Sequence, residues 1–118
     1  MYNHMVVERL RQDEVDRLFQ ALADATRRDI VARVLVAEYS VSGLAEQYDM
    51  SFAAVQKHVA VLERASLVSK EKRGREQIVR GEVDGVQRAR RLLDDYERIW
   101  RQRVDRIEDI LGEDEDRT

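Results

Sequence analysis

The chain reads as mainly α, with a single β hairpin set among the helices. Apolar residues recur at helical spacing over most of its length. Hydroxyl and carboxylate residues stand where helices would begin. One segment, Leu67 to Arg80, instead shows a short apolar start, a basic tip of Lys72-Arg73-Gly74-Arg75 and a second apolar run. That is the pattern of two strands joined by a glycine turn.

From Val7 to Leu22, apolar residues at Leu10, Val15, Leu18, Phe19 and Leu22 predict a first helix. Asp24 can cap a second, from Ala25 to Glu38, because its carboxylate accepts from the free amides of the next turn. Ile30, Val31, Val34 and Leu35 are its expected buried positions. Ser40 or Ser42 caps a short third helix ending at Tyr48, Asp49-Met50 makes a turn, and Ser51 caps a fourth helix ending near Ala65. Asp84 and Gln87 have capping-box spacing for a long last helix. Its apolar stripe includes Leu92, Leu93, Tyr96, Ile99, Trp100, Val104, Ile107, Ile110 and Leu111. A short helix, a tight turn, a second helix with small residues at its start and a basic hairpin together describe a winged helix-turn-helix with a two-stranded wing. That module lays its second helix in the DNA major groove.

With 118 residues the chain suits one domain, read as residues 1–112, followed by a tail at 113–118. No apolar run reaches the length of a membrane span. The N-terminus lacks the basic start and long apolar core of a secretory signal, so a cytoplasmic protein is expected. There is no cysteine, hence no disulfide and no thiolate metal site. The net charge of −3 is carried by the tail, where Glu113 to Asp116 are opposed only by Arg117. Between Ser66 and Arg80 the sign reverses, with Lys70, Lys72, Arg73, Arg75 and Arg80 against Glu71 and Glu76. Local sign governs contact with a phosphate backbone. The tail has almost no apolar surface and is expected to be disordered.

On the fourth helix, Val55, Val59 and Leu62 share one face and should pack inward, which turns Phe52, Ala53, Gln56 and Lys57 outward. Ser51, Ala53 and Ala54 allow close approach to DNA, and an alanine methyl can touch a thymine methyl. Gln56 can bond adenine bidentately, Lys57 can reach guanine or phosphate, and Phe52 can lie against thymine methyls or fold onto a neighbour. His58 is either a phosphate contact or a half-buried structural residue. A single histidine here makes no metal site. In the hairpin, Lys72, Arg73 and Arg75 would grip phosphates or enter the minor groove, or else form a solvated tip, with Gly74 free to take the positive φ of a tight turn. Tyr96 and Trp100 at helical spacing read as core or interface. Ser40 and Ser42 lack the histidine and carboxylate of a nucleophile triad, and no residue set assembles into an active site or calls for a cofactor.

The chain resembles the ArsR family of small winged-helix regulators. The matching stretches are Leu18 through Ile30, Ser40-Val-Ser-Gly-Leu-Ala-Glu46, Ser51 through Leu62 with Lys57-His58, and Leu67-Val68, so that the likeness covers about residues 8–111. The resemblance implies a homodimer paired through its first and last helices, with Leu10, Leu18, Tyr96, Ile99, Trp100, Val104, Ile107 and Leu111 at the interface. It implies double-stranded DNA with an inverted-repeat operator as partner, and repression relieved by an effector whose identity is open. Metal-sensing members carry Cys-Val-Cys where this chain has Ser40-Val41-Ser42. The last helix has no histidine either, so both familiar metal sites are missing. A second reading is a winged-helix module that binds protein instead of DNA, which the acidic balance favours.

Overall fold

The computed structural model describes residues 4–116, with side chains over residues 11–113. The chain runs α1 (His4–Leu22), α2 (Ala25–Val36), β1 (Tyr39–Ser40), α3 (Val41–Ala45), α4 (Phe52–Arg64), β2 (Val68–Arg73), β3 (Glu76–Gly81) and α5 (Val83–Asp116). Three helix starts are set by their caps. Asp24 accepts from the Arg27 amide at 3.0 Å, Ser40 from Gly43 at 2.9 Å, and Ser51 from Ala54 at 3.1 Å. Each satisfies an amide that the first helical turn leaves free.

The wing hairpin pairs Val68 with Gly81 through Arg73 with Glu76, leaving Gly74 and Arg75 as its two-residue turn. Gly74 has φ +61°, and only this first central residue is left-handed, as a II′ turn requires. The sheet has three strands where two were expected. Tyr39 and Ser40 pair antiparallel with Val79 and Ile78, giving the order β1-β3-β2. The extended backbone that makes Ser40 a cap (φ −69°, ψ 156°) is also the conformation a strand needs.

The core lies where α1 to α4 meet the sheet. Ile30, Leu44, Val55, Val59, Leu62, Leu67 and Val79 are fully buried there. Burying such side chains contributes roughly 1.5–3 kcal/mol each before entropy is counted. Leu18, expected at a dimer interface, is only 2% exposed and belongs to this core instead. The Leu10 side chain lies outside the described residues. Leu35, expected inside, is 46% exposed even though Gly81 of β3 packs closely against it. The helix itself stops at Val36, short of Glu38.

The capping box expected at Asp84 does not form. α5 begins at Val83, two residues before the start that an Asp84 cap would set, and the Asp84 carboxylate pairs with Arg88 at 3.2 Å. A first-turn amide finds another partner, since Gly85 N–H donates to the Ser66 carbonyl at 3.0 Å. This close approach needs glycine: a Cβ at position 85 would stand 2.7 Å from that carbonyl oxygen. α5 then runs for 34 residues, roughly 50 Å at 1.5 Å per residue. Its helix is described through Asp116. Among the described residues no helix is long and apolar enough to cross a membrane.

Candidate nucleic-acid interface

α4 carries Val55, Val59 and Leu62 on its inward face, each at most 1% exposed. That fixes the rotation of the helix and turns Ser51, Phe52, Ala53, Gln56 and Lys57 to solvent, with Ala54 and His58 half-buried. Phe52 keeps 46% of its surface exposed at the helix start and does not fold into the core. Five of the positions singled out from sequence therefore share one outward surface, with Ala54 and His58 at its margin.

His58 has a partner inside the chain. Arg27 Nη1 lies 3.4 Å from His58 Nδ1, while the same guanidinium donates to the carbonyls of Ala21 and Gln20. Nothing in the sequence pointed to Arg27, since the contact spans 31 positions. Nearby, the Asp24 carboxyl is held below its ordinary pKa, first by the Arg27 amide it accepts from and further by the Arg27 charge.

The helix-turn-helix turn is pinned from the other side. The Tyr48 hydroxyl donates to Asp29 Oδ2, Arg33 Nε donates to the same oxygen at 2.8 Å, and the Arg33 guanidinium lies 5.6 Å from the Tyr48 ring centroid. Partial burial, and then the bond to Asp29, push the Tyr48 hydroxyl up to about 12. The Tyr48 hydroxyl bond, and after it the Arg33 bond, hold Asp29 below the usual carboxylate range. Sequence reading assigned Tyr48 only to the end of a helix and missed this clamp.

The wing cations divide into two kinds. Arg73 is bound to Glu38 at 3.0 Å and to Glu71 at 3.1 Å, which raises its pKa and lowers that of Glu38. Arg80 joins the same carboxylates: it pairs with Glu71, and its Nε lies 2.8 Å from Glu38 Oε1 but is poorly aligned for a hydrogen bond. Lys72 and Arg75 are exposed and meet no carboxylate within 4.0 Å among the described residues. The hairpin tip thus presents two uncompensated cations, with Arg73 braced behind them.

Ser40 uses its hydroxyl to cap α3, and among the described residues no three His, Cys, Asp or Glu side chains gather as a metal site. Among the described side chains of α5, Ala89 is the one hydrophobic residue in the buried core. Farther along, Tyr96, Ile99, Trp100, Ile107 and Leu111 are all exposed, Trp100 at 60%, and Val104 is half-buried.

No family model matches the chain. Individual relatives do. The HTH-type transcriptional regulator Rv2034 of Mycobacterium tuberculosis is 38% identical over 85 residues, which span 72% of this chain and 77% of its own. The ArsR-like transcriptional regulator from Rhodococcus sp. RHA1 is 31% identical, with a TM-score of 0.77 over 85% of this chain and 92% of that one. The chain belongs to the ArsR family of winged helix-turn-helix transcriptional regulators. A further structural neighbour of this ArsR-family regulator is the homodimeric winged helix-turn-helix DNA-binding domain of Mb0332 from Mycobacterium bovis. It is 22% identical with a TM-score of 0.63, covering 82% of this chain and 87% of that domain, and it speaks to the fold alone.

Proposed function

We propose that this regulator works as a homodimer that binds an inverted-repeat operator and represses its own or neighbouring genes. Ser51, Phe52, Ala53, Ala54, Gln56 and Lys57 enter the major groove, and Lys72, Arg73 and Arg75 hold the backbone. The observation that carries the reading is the orientation of α4, whose apolar face is locked into the core so that these side chains face outward. Tyr96, Ile99, Trp100, Val104, Ile107 and Leu111 pair α5 with its counterpart. Burying a continuous apolar stripe of this size is the strongest drive to association that the surface offers. Two-fold symmetry then places half-sites about 10 bp apart or a small multiple of that. With Ser40 committed as a cap and no thiolate present, repression is relieved by something other than metal at the cysteine site.

Selection of genomic DNA by the purified protein, followed by a salt titration on the best site, tests the proposal. An enriched inverted repeat with affinity falling steeply in salt is expected. A folded dimer that enriches nothing would shift the reading to a winged-helix module for protein partners.

A further inference from the structure

A cleft of about 470 Å³ opens between α1, the end of α4 and the first turns of α5. That is within the usual size of small-molecule sites. Its walls carry Arg11 and Arg17 from α1, Arg64 from α4, and Arg88 and Arg91 from α5, with Ser66 among them. Against these five guanidinium groups the lining offers one carboxylate, Glu14, and Arg88 already holds it at 3.2 Å. Arg88 also pairs with Asp84, and Arg91 reaches only the Gln87 carbonyl at 3.4 Å. Arg17 and Arg64 meet no carboxylate within 4.0 Å among the described residues. An arginine cannot relieve such crowding by losing its proton. An anion relieves it.

At the end of α4, the Val61 and Leu62 carbonyls accept from Ala65, Glu63 from Ser66, and Leu62 also from Leu67. Ser66 itself is the one non-glycine residue among those described with a left-handed backbone, at φ +59°. Glycine is the usual occupant of this position after a helix. Ser66 lines the cleft, and a serine here carries a backbone cost that glycine would avoid. Val15 and Ala65 supply apolar lining beside it.

We propose that this cleft is a binding site for a small organic anion bearing two or more phosphate or carboxylate groups. Guanidinium forks suit both oxyanions, and each can bind bidentately. The site is separate from the outward start of α4, since Arg64 lies ten residues beyond Ala54, roughly 15 Å along the helix axis. A bound anion ties α1 and α5 to the far end of α4. The inference does not depend on which DNA the regulator binds.

Isothermal titration calorimetry at physiological ionic strength tests it, with pyrophosphate and citrate as probes of the two oxyanion chemistries. One saturable site per chain is expected for at least one probe. Changing Arg64→Gln and Arg91→Gln together should weaken it at least tenfold. Ser66→Gly should weaken binding severalfold while leaving thermal stability equal or higher, a pairing that a purely structural serine would not give. The wing variant Lys72→Gln with Arg75→Gln should bind the probe as the parent does. Absence of saturable binding by both probes overturns the site, and so does equal affinity in the Arg64/Arg91 variant.

Discussion

Arg27 Nη1 stands 3.4 Å from His58 Nδ1 and so fastens the first turn of α2 to the middle of α4. A guanidinium has donors only, so the ring accepts at Nδ1 and its proton is assigned to Nε2. The Arg27 side chain also bonds the carbonyls of Ala21 at 2.9 Å and Gln20 at 2.8 Å, which closes the end of α1. Arg27→Ala should therefore lower stability by about 2 kcal/mol, the scale of a part-buried charged donor lost from several acceptors. His58→Ala removes a single contact and should cost less, about 1 kcal/mol. Urea unfolding of both variants checks this order, and an Arg27→Ala midpoint equal to the parent's would remove the fastening role.

The clamp at the turn and the wing pairings set the response to pH. Asp24, Asp29 and Glu38 all lie below their ordinary values in the folded chain. A lowered carboxylate contributes stability that is complete above its unfolded value, here 3.8 for the aspartates and 4.5 for the glutamate, and that is lost as pH falls through the folded value. Tyr48 runs the other way. With a folded value of about 12 against 10.0, its contribution is complete below 10.0 and disappears as pH rises toward 12. Urea midpoints should form a plateau from about pH 5 to about pH 10 and fall on both sides. Tyr48→Phe should flatten the alkaline limb, and an unchanged limb would separate that decline from the clamp.

The legible parts of this fold are those written in local chemistry. Asp24, Ser40 and Ser51 announce three helix starts because a cap and its amide are three residues apart. The inward face of α4 follows from the spacing of Val55, Val59 and Leu62. What stayed hidden is long-range. β1 is two residues long and has no periodicity to read, the Glu38–Arg73 pair spans 35 positions, and the Arg27–His58 contact spans 31. Leu18 and Asp84 misled for a related reason: residues of the right type and spacing were drawn to another partner, the core for one and Arg88 for the other.

The wing offers a test of how much each cation contributes. Lys72 and Arg75 are uncompensated, so each should release about one counterion on binding DNA, and Arg75→Gln should reduce the slope of log affinity against log salt by about 0.9. Arg73 is held between Glu38 and Glu71, and part of its charge is already balanced. Arg73→Gln should change the salt slope less than Arg75→Gln does, even where the loss of affinity is similar. Fluorescence anisotropy across a potassium chloride series measures both. Equal slope changes would mean that the carboxylate pairings open when DNA binds.

The apolar stripe of α5 makes the sharpest separation between folding and assembly. Ile99 and Trp100 are 61% and 60% exposed in the single chain, far from the core that α1 to α4 and the sheet build. Replacing them therefore removes little that holds one chain together. In the proposed dimer the same side chains would be buried between α5 helices, where a central tryptophan commonly accounts for 2 kcal/mol or more. A charge in its place leaves an unpaired ion in an apolar seam, so Trp100→Glu should raise the dimer dissociation constant at least about thirtyfold. Its helix content should remain close to the parent's. Sedimentation equilibrium with circular dichroism on the same samples reads both quantities. A Trp100→Glu dimer as tight as the parent would move the interface off this stripe, while loss of helix together with association would show that α5 is ordered only when paired.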